Sequence, residues 1–191
     1  MYKLCKTEQS ANRQRALEQG LLQAMLISQY DEISVSDLCL LLNIPRKAFY
    51  RYFDGKEGAL HALIDHTLLE YDGFVLNGQE SNHVISKDEL ERFFLFWHNQ
   101  KTLLDALARS SLYSVLFERM VEQAITEAIA PRPYMSHYSQ DLRNPAILFT
   151  VCGLMSLATT WHRQGFNMDY KQLADMAMKL VTEPLLHNPE M

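Results

Sequence analysis

The stretch NIPRKAFYRYFDGKEGAL, residues 43–60, holds the side chains of this chain best suited to gripping a polyanion. Arg46, Lys47, Arg51 and Lys56 supply cationic donors, and Tyr50 adds a hydroxyl and a flat ring to the same run. An α-helix fits the major groove of duplex DNA, where guanidinium and ammonium groups reach base edges or phosphates. A tyrosine hydroxyl donates to a phosphate, and its ring lies well on a thymine methyl. A basic helical run also reads as ordinary solvated surface, so its meaning rests on the elements that carry it.

Pro45 lacks an N–H and holds Ile44 extended, which suits the start of a new helix and not the middle of an old one. The pattern predicts a helix of about two turns from Arg46 to Phe53, with Phe49 and Phe53 as anchors on one face. A helix that short is marginal alone and must be held by its neighbours. Ser34, with Asp37 three residues on, reads as the N-cap and capping box of a preceding helix, Val35–Leu42. Leu38, Leu41 and Leu42 form its expected buried side, with Leu40 the apolar residue left over. Asp54 and Glu57 repeat the capping signal for a long helix to about Leu76, with Leu60, Leu63, Ile64, Thr67 and Leu68 turned inward. Upstream, Leu17, Leu21, Ala24, Met25 and Ser28 fit a helix over 11–29, where Gly20 marks either a weak point or close packing.

Downstream, residues 77–86 read as a polar loop. Ser86 and Glu89 start a helix carrying Leu90, Phe93, Phe94 and Trp97, with a break near Gln100. A longer helix over 110–130 stops before Pro131 and Pro133, another runs over 145–164 and closes at Gly165, and a last one starts near Tyr170 and ends or kinks at Pro184. No segment alternates as a strand does, so the predicted fold class is all-α, with eight or nine helices.

Composition restricts the function classes. The 191 residues are 48% hydrophobic with only 6 Pro and 7 Gly, which argues for one or two packed cores and against disorder. The net charge of −5 is unusual for a nucleic-acid binder, but residues 1–60 hold eight basic and seven acidic side chains, leaving ten basic and sixteen acidic for the rest. Any phosphate-contacting surface is therefore expected near the front. Cys5, Cys39 and Cys152 are far apart, which suggests neither a metal knuckle nor a disulfide framework, and Cys39 reads as a small buried residue. The seven histidines show no ligand grouping, and no glycine-rich phosphate loop, GxSxG or HExxH occurs. The expectation is a protein that is not an enzyme and uses no metal or cofactor. With no signal-peptide pattern at the start and no uncharged apolar stretch approaching a membrane span, the expected location is cytoplasmic, without membrane contact.

Two short helices joined by a tight turn, the second one basic, form a helix-turn-helix arrangement. Residues 34–60, SVSDLCLLLNIPRKAFYRYFDGKEGAL, resemble the DNA-binding domain of the tetracycline-repressor-like (TetR/AcrR) family of transcriptional regulators, most distinctively in Phe49, Tyr50, Phe53, Lys56 and Leu60. With the helix over 11–29 the resemblance covers about a third of the chain. It implies that Tyr50 and Lys56 contact operator phosphates, that Arg46, Lys47, Ala48 and Arg51 face the groove, and that Ser34 completes the DNA-binding set. The chain departs from the family in having Asn43 for a glycine, Pro45 for a serine and Lys47 for a small residue, which puts the operator sequence in question.

The resemblance further implies a homodimer, a palindromic operator and repression relieved by a small effector. It divides the chain into a helix-turn-helix domain over 1–56 and a helical effector-binding and dimerisation domain over 57–191. The effector pocket falls to Leu68, Phe94, Trp97, His98, Tyr113, Phe117 and Met120, which suit an apolar or aromatic ligand, with His98 and Arg109 as polar contacts; the same residues also read as plain core. The dimer interface falls to Leu148, Cys152, Met155, Thr159, Leu173, Ala177 and Leu180, with the small Gly153, Ser156 and Ala158 permitting close approach; packing within one subunit is the other reading. A dimeric helical protein that binds a ligand or protein and no DNA is the alternative function, motivated by the negative balance and by the acidic neighbours of Lys56.

Overall fold

The computed structural model describes residues 1–76, 86–127 and 140–182. These residues form α1 (Glu8–Ile27), a 3-10 turn (Tyr30–Glu32), α2 (Val35–Leu41), α3 (Arg46–Phe49), α4 (Lys56–Leu76), α5 (Lys87–Asn99), α6 (Lys101–Arg109), α7 (Tyr113–Glu127), α8 (Gln140–Arg163) and α9 (Tyr170–Thr182). Among the described residues there is no sheet, only an isolated antiparallel bridge between Tyr2 and Phe53, so the chain is all-α as predicted. The predicted stops at Pro131, Pro133 and Pro184, and all of the predicted loop except Ser86, lie outside the described residues. The chain divides into two compact units, Met1–Glu70 with Thr102–Met120, and Tyr71–Lys101 with Val121–Met191.

In the first unit, α1 starts at Thr7, whose hydroxyl accepts the Ser10 N–H at 3.2 Å, and buries Leu17, Leu21, Leu22 and Met25. Gly20 marks close packing: a Cβ there would stand 2.5 Å from Leu42 Cδ2. The Ser34–Asp37 capping box forms as expected, and Leu38 and Cys39 are buried behind it. Leu41 is 58% exposed, against expectation, because the packed side of so short a helix is taken by Leu38, its neighbour Cys39 and Leu42, four residues after Leu38. A Schellman turn ends α2. Asn43 takes the left-handed conformation at φ 50°, its N–H donates to the Leu40 carbonyl at 3.1 Å, and Ile44 N–H donates to the Cys39 carbonyl at 2.9 Å.

α1 and α8 start three and five residues earlier than expected, and around the basic run two further helix boundaries differ from the sequence expectation. The regular helix of α3 ends at Phe49, and residues 50–53 continue as a tight turn in which Tyr52 N–H and Phe53 N–H both donate to the Phe49 carbonyl, at 3.0 and 3.2 Å. Sharing one acceptor breaks the ladder that a helix to Phe53 would need. α4 begins at Lys56, so Gly55 and not Asp54 stands at the N-cap, and the Gly55 carbonyl accepts the Ala59 N–H at 3.3 Å. Leu60, Leu63, Ile64, Thr67 and Leu68 are all buried, as predicted.

The second unit is built on α5, α8 and α9. Ser86 and Glu89 form the predicted capping box, and Lys87 reaches Asp175 of α9 at 2.6 Å. Leu90, Phe93, Phe94, Phe96 and Trp97 are buried in a ring cluster that takes in Trp161 of α8, whose indole N–H donates to the Met168 carbonyl at 3.1 Å. α8 closes at Gly165, as expected, in a second Schellman turn with φ 70°. Asn144–Arg163 is long and apolar enough to cross a membrane by length and composition, which corrects the expectation that no apolar stretch approaches such a length. That helix does bury one face, through Met155, Ala158 and Trp161.

Candidate nucleic-acid interface

Phe49 and Phe53 are fully buried with ring centroids 5.1 Å apart, and Tyr52 is buried beside them. These three rings hold α3 and its turn from beneath, and Arg46, Lys47, Tyr50 and Arg51 stand exposed above, with Ala48 half-buried. No carboxylate occurs among residues 43–53, so the displayed charge is wholly positive. Arg46 Nη2 donates to Tyr50 Oη at 3.4 Å, and its guanidinium lies 5.8 Å from the ring centre. The phenol oxygen therefore accepts from Arg46, and its own proton stays available for an outside acceptor such as a phosphate.

Ser34 is exposed at the start of α2, and its hydroxyl is already committed: it donates to Asp37 Oδ2 at 2.6 Å and accepts the Asp37 N–H at 3.1 Å. The Ser34 hydroxyl, and then the Ser34 backbone N–H that donates to the same Oδ2 at 3.1 Å, hold the Asp37 carboxyl below its ordinary range. Lys56 is also engaged. Its Nζ donates to the Tyr30 carbonyl at 2.6 Å and the Asp31 carbonyl at 3.2 Å, and lies 4.4 Å from the centre of the Tyr30 ring. Sequence spacing gave no signal of this contact, because the acceptors are backbone groups some 25 residues away. The exposed Asp54 and Glu57 flank the site on the α4 side.

The residues proposed for an effector pocket fall in both units. Leu68 and Tyr113 are buried and Phe117 and Met120 half-buried in the first. Phe94 and Trp97 are buried in the second, and His98 is exposed with its ring 4.7 Å from that of Phe166. Arg109 turns out to be a structural donor, reaching the Ile27 carbonyl at the end of α1 at 3.0 Å. The Trp97 indole N–H is buried without a hydrogen-bond partner among the described residues. Among the described residues no group of three or more His, Cys, Asp or Glu is arranged to hold a metal ion.

Of the residues assigned to a dimer interface, Met155, Thr159, Leu173 and Ala177 are buried inside the second unit, Leu148 and Cys152 are half-buried and Leu180 is exposed. The open face of α8 lies one residue further round and carries Leu142, Pro145, Phe149, Gly153, Ser156 and Thr160. Their three- and four-residue spacing makes one continuous stripe.

No family model matches the chain, and no curated protein matches it. Solved structures do. The dihydroxyacetone kinase operon activator DhaS aligns over 88% of this chain and 93% of its own at 15% identity, with a TM-score of 0.53. The fatty acid degradation regulator FadR from Bacillus halodurans aligns over 97% of this chain and 100% of its own, also at 15% identity, with a TM-score of 0.60. The chain thus shares its fold with two helical regulators along nearly its whole length.

Proposed function

We propose that the protein is a dimeric transcriptional regulator of the TetR/AcrR type, which binds a palindromic DNA operator through residues 34–56 and represses transcription until a small effector releases it. The observation that carries this reading is the display of Arg46, Lys47, Tyr50 and Arg51 on a short helix whose opposite side is sealed by Phe49 and Phe53. A basic run left merely as solvated surface needs no such anchoring, whereas a groove-reading helix must hold its side chains in register. The two helical regulators of like fold add support, and both are named for control of metabolic genes.

In this scheme residues 1–56 are the DNA-binding domain and residues 57–191 the effector and dimerisation domain. Arg46, Lys47, Ala48 and Arg51 face base edges and Tyr50 faces a phosphate. The effector is a small apolar or aromatic molecule bound by side chains of the second domain. Trp97 suits it, since its unpartnered N–H would offer a donor to a ligand acceptor amid aromatic surface. Two copies place two reading helices about 34–36 Å apart, or a multiple of that, to use both half-sites.

Selection of bound duplexes from a random pool at physiological salt tests the reading. A palindrome with half-sites at helical-turn spacing is the expected product, and its affinity should fall linearly with salt on logarithmic axes. A folded dimer that enriches no duplex, with and without candidate effectors, would favour the alternative of a ligand- or protein-binding function without DNA.

A further inference from the structure

The first residues of the chain are built into the first unit as a strap across the exit of α3. Lys3 N–H donates to the Tyr52 carbonyl at 2.9 Å, Asp54 N–H donates to the Met1 carbonyl at 3.1 Å, and Tyr2 pairs with Phe53 between them. Gly58 in the first turn of α4 makes room for this, since a Cβ there would collide with the Met1 carbonyl. Gln14 of α1, 2% exposed, holds the other end: its Nε2 donates to the Lys3 carbonyl at 3.2 Å, and its Oε1 accepts from Cys5 Sγ at 2.9 Å.

The Tyr2 side chain runs from this strap into a charged cluster. Its hydroxyl donates to Asp65 Oδ2 on α4 at 2.8 Å. Arg119 of α7 grips the same carboxylate with a fork, Nε on Oδ1 at 2.7 Å and Nη2 on Oδ2. The Tyr2 ring meets His66 edge-on at 5.8 Å, and His66 Nδ1 lies 2.8 Å from Oε2 of the buried Glu18. The hydroxyl therefore ends on a carboxylate already fixed by a bidentate partner, an arrangement in which small displacements are resisted.

We infer that Tyr2 is a positioning residue for the reading helix, and that it ties the backbone of Tyr52–Asp54 to the Asp65–Arg119 pair. The inference rests on the DNA-binding reading above. Regular helix in α3 spans only four residues and cannot fix its own direction. Arg51 lies next to the strapped Tyr52, so a shift of the strap moves Arg51 with it. Base contacts tolerate displacements well under an ångström, and those to the groove would be lost together.

Tyr2→Phe removes one hydroxyl and keeps the ring and the backbone pairing. Its operator affinity, measured well below the melting temperature across a salt series, should fall at least about fivefold on the best operator and by less on variants that already lack a groove contact, with the wild-type salt slope retained because no phosphate contact is lost. Gly58→Ala, which displaces the Met1 carbonyl and leaves the hydroxyl intact, should give the same pattern. Adding Arg119→Ala to Tyr2→Phe should cost less than the two separate losses combined, since both act through Asp65. Wild-type affinity in Tyr2→Phe, even with a lowered melting temperature, would reduce the strap to a stabilising element and overturn the proposal. A slope reduced by about one unit would overturn it too, by making the strap a phosphate contact. A wild-type protein that binds no duplex removes the DNA reading and this inference with it, whereas a binding wild type with an unaffected Tyr2→Phe removes the inference alone.

Discussion

Lys56 shows how a residue picked for one chemistry can be used for another. Family resemblance puts its ammonium on a phosphate, but in this chain two backbone carbonyls and the face of Tyr30 already surround it. Lys56→Met keeps the stem and deletes the charge, so it should cost about 1–3 kcal/mol of stability, read as a lower denaturation midpoint. A salt slope equal to wild type would show that no phosphate contact disappeared with the ammonium; a slope lowered by about one unit would show that Lys56 turns to DNA on binding. The neighbouring phenol makes a separate prediction. Burial first, then the carboxylates of Glu57 and Asp31, push Tyr30 up from 10.0 to about 12. Burial, then the Asp65 hydrogen bond, pushes Tyr2 to about 12 as well. Folding thus favours the protonated phenols, so their contribution is complete below pH 10 and is lost as pH rises from about 10 towards about 12. Phenolate absorbance should show that Tyr2→Phe and Tyr30→Phe each remove an ionisation near pH 12 from the wild-type titration. A lost ionisation near pH 10 in both variants would contradict the enclosure of these two phenols.

At the scale of elements, the head depends on aromatic anchoring. Phe53→Ala removes a fully buried ring that touches Phe49 and Tyr52, and should destabilise the protein by about 3–5 kcal/mol. A melting profile equal to wild type would mean that Tyr52 and the strap suffice to hold the turn. This anchoring was legible in the sequence because it is local: Phe49 and Phe53 four apart, Ser34 and Asp37 three apart, and Pro45 after a left-handed Asn43 each act within a turn or two. What local pattern could not supply is register against distant backbone. Leu41 looks as apolar as Leu38, and only the packing of α2 decides which of them faces inward. The strap was invisible for the same reason, as its partners at 52–54, 58 and 65 lie some fifty residues downstream and one of them is a glycine selected by a carbonyl. Asp54 failed as a cap by a single residue, the usual precision of helix ends read from sequence.

At the scale of the whole molecule, the question is what covers α8. The stretch Asn144–Arg163 has a mean hydropathy of 1.2, yet only 28% of it is buried within the chain. Its buried face is committed to Met155, Ala158 and Trp161, and the opposite stripe opens on the large Leu142 and Phe149 and continues in the small Gly153, Ser156 and Thr160. Small residues at successive turns let a second helix approach closely, which fits a second copy of this chain better than a uniformly apolar lipid surface. Gly153→Leu separates folding from assembly. A Cβ at Gly153 meets nothing within 4 Å, and leaving glycine in mid-helix favours the helical state by up to about 1 kcal/mol, so the single chain should be at least as stable as wild type. Between two copies the added side chain would force the helices apart, so sedimentation should show the dimer shifting to monomer. Binding to a two-half-site operator should then weaken towards that of a single half-site, because the second reading helix is no longer carried to its site by the first. A Gly153→Leu protein that stays dimeric at wild-type strength would place the subunit interface elsewhere and leave this stripe of α8 to another partner.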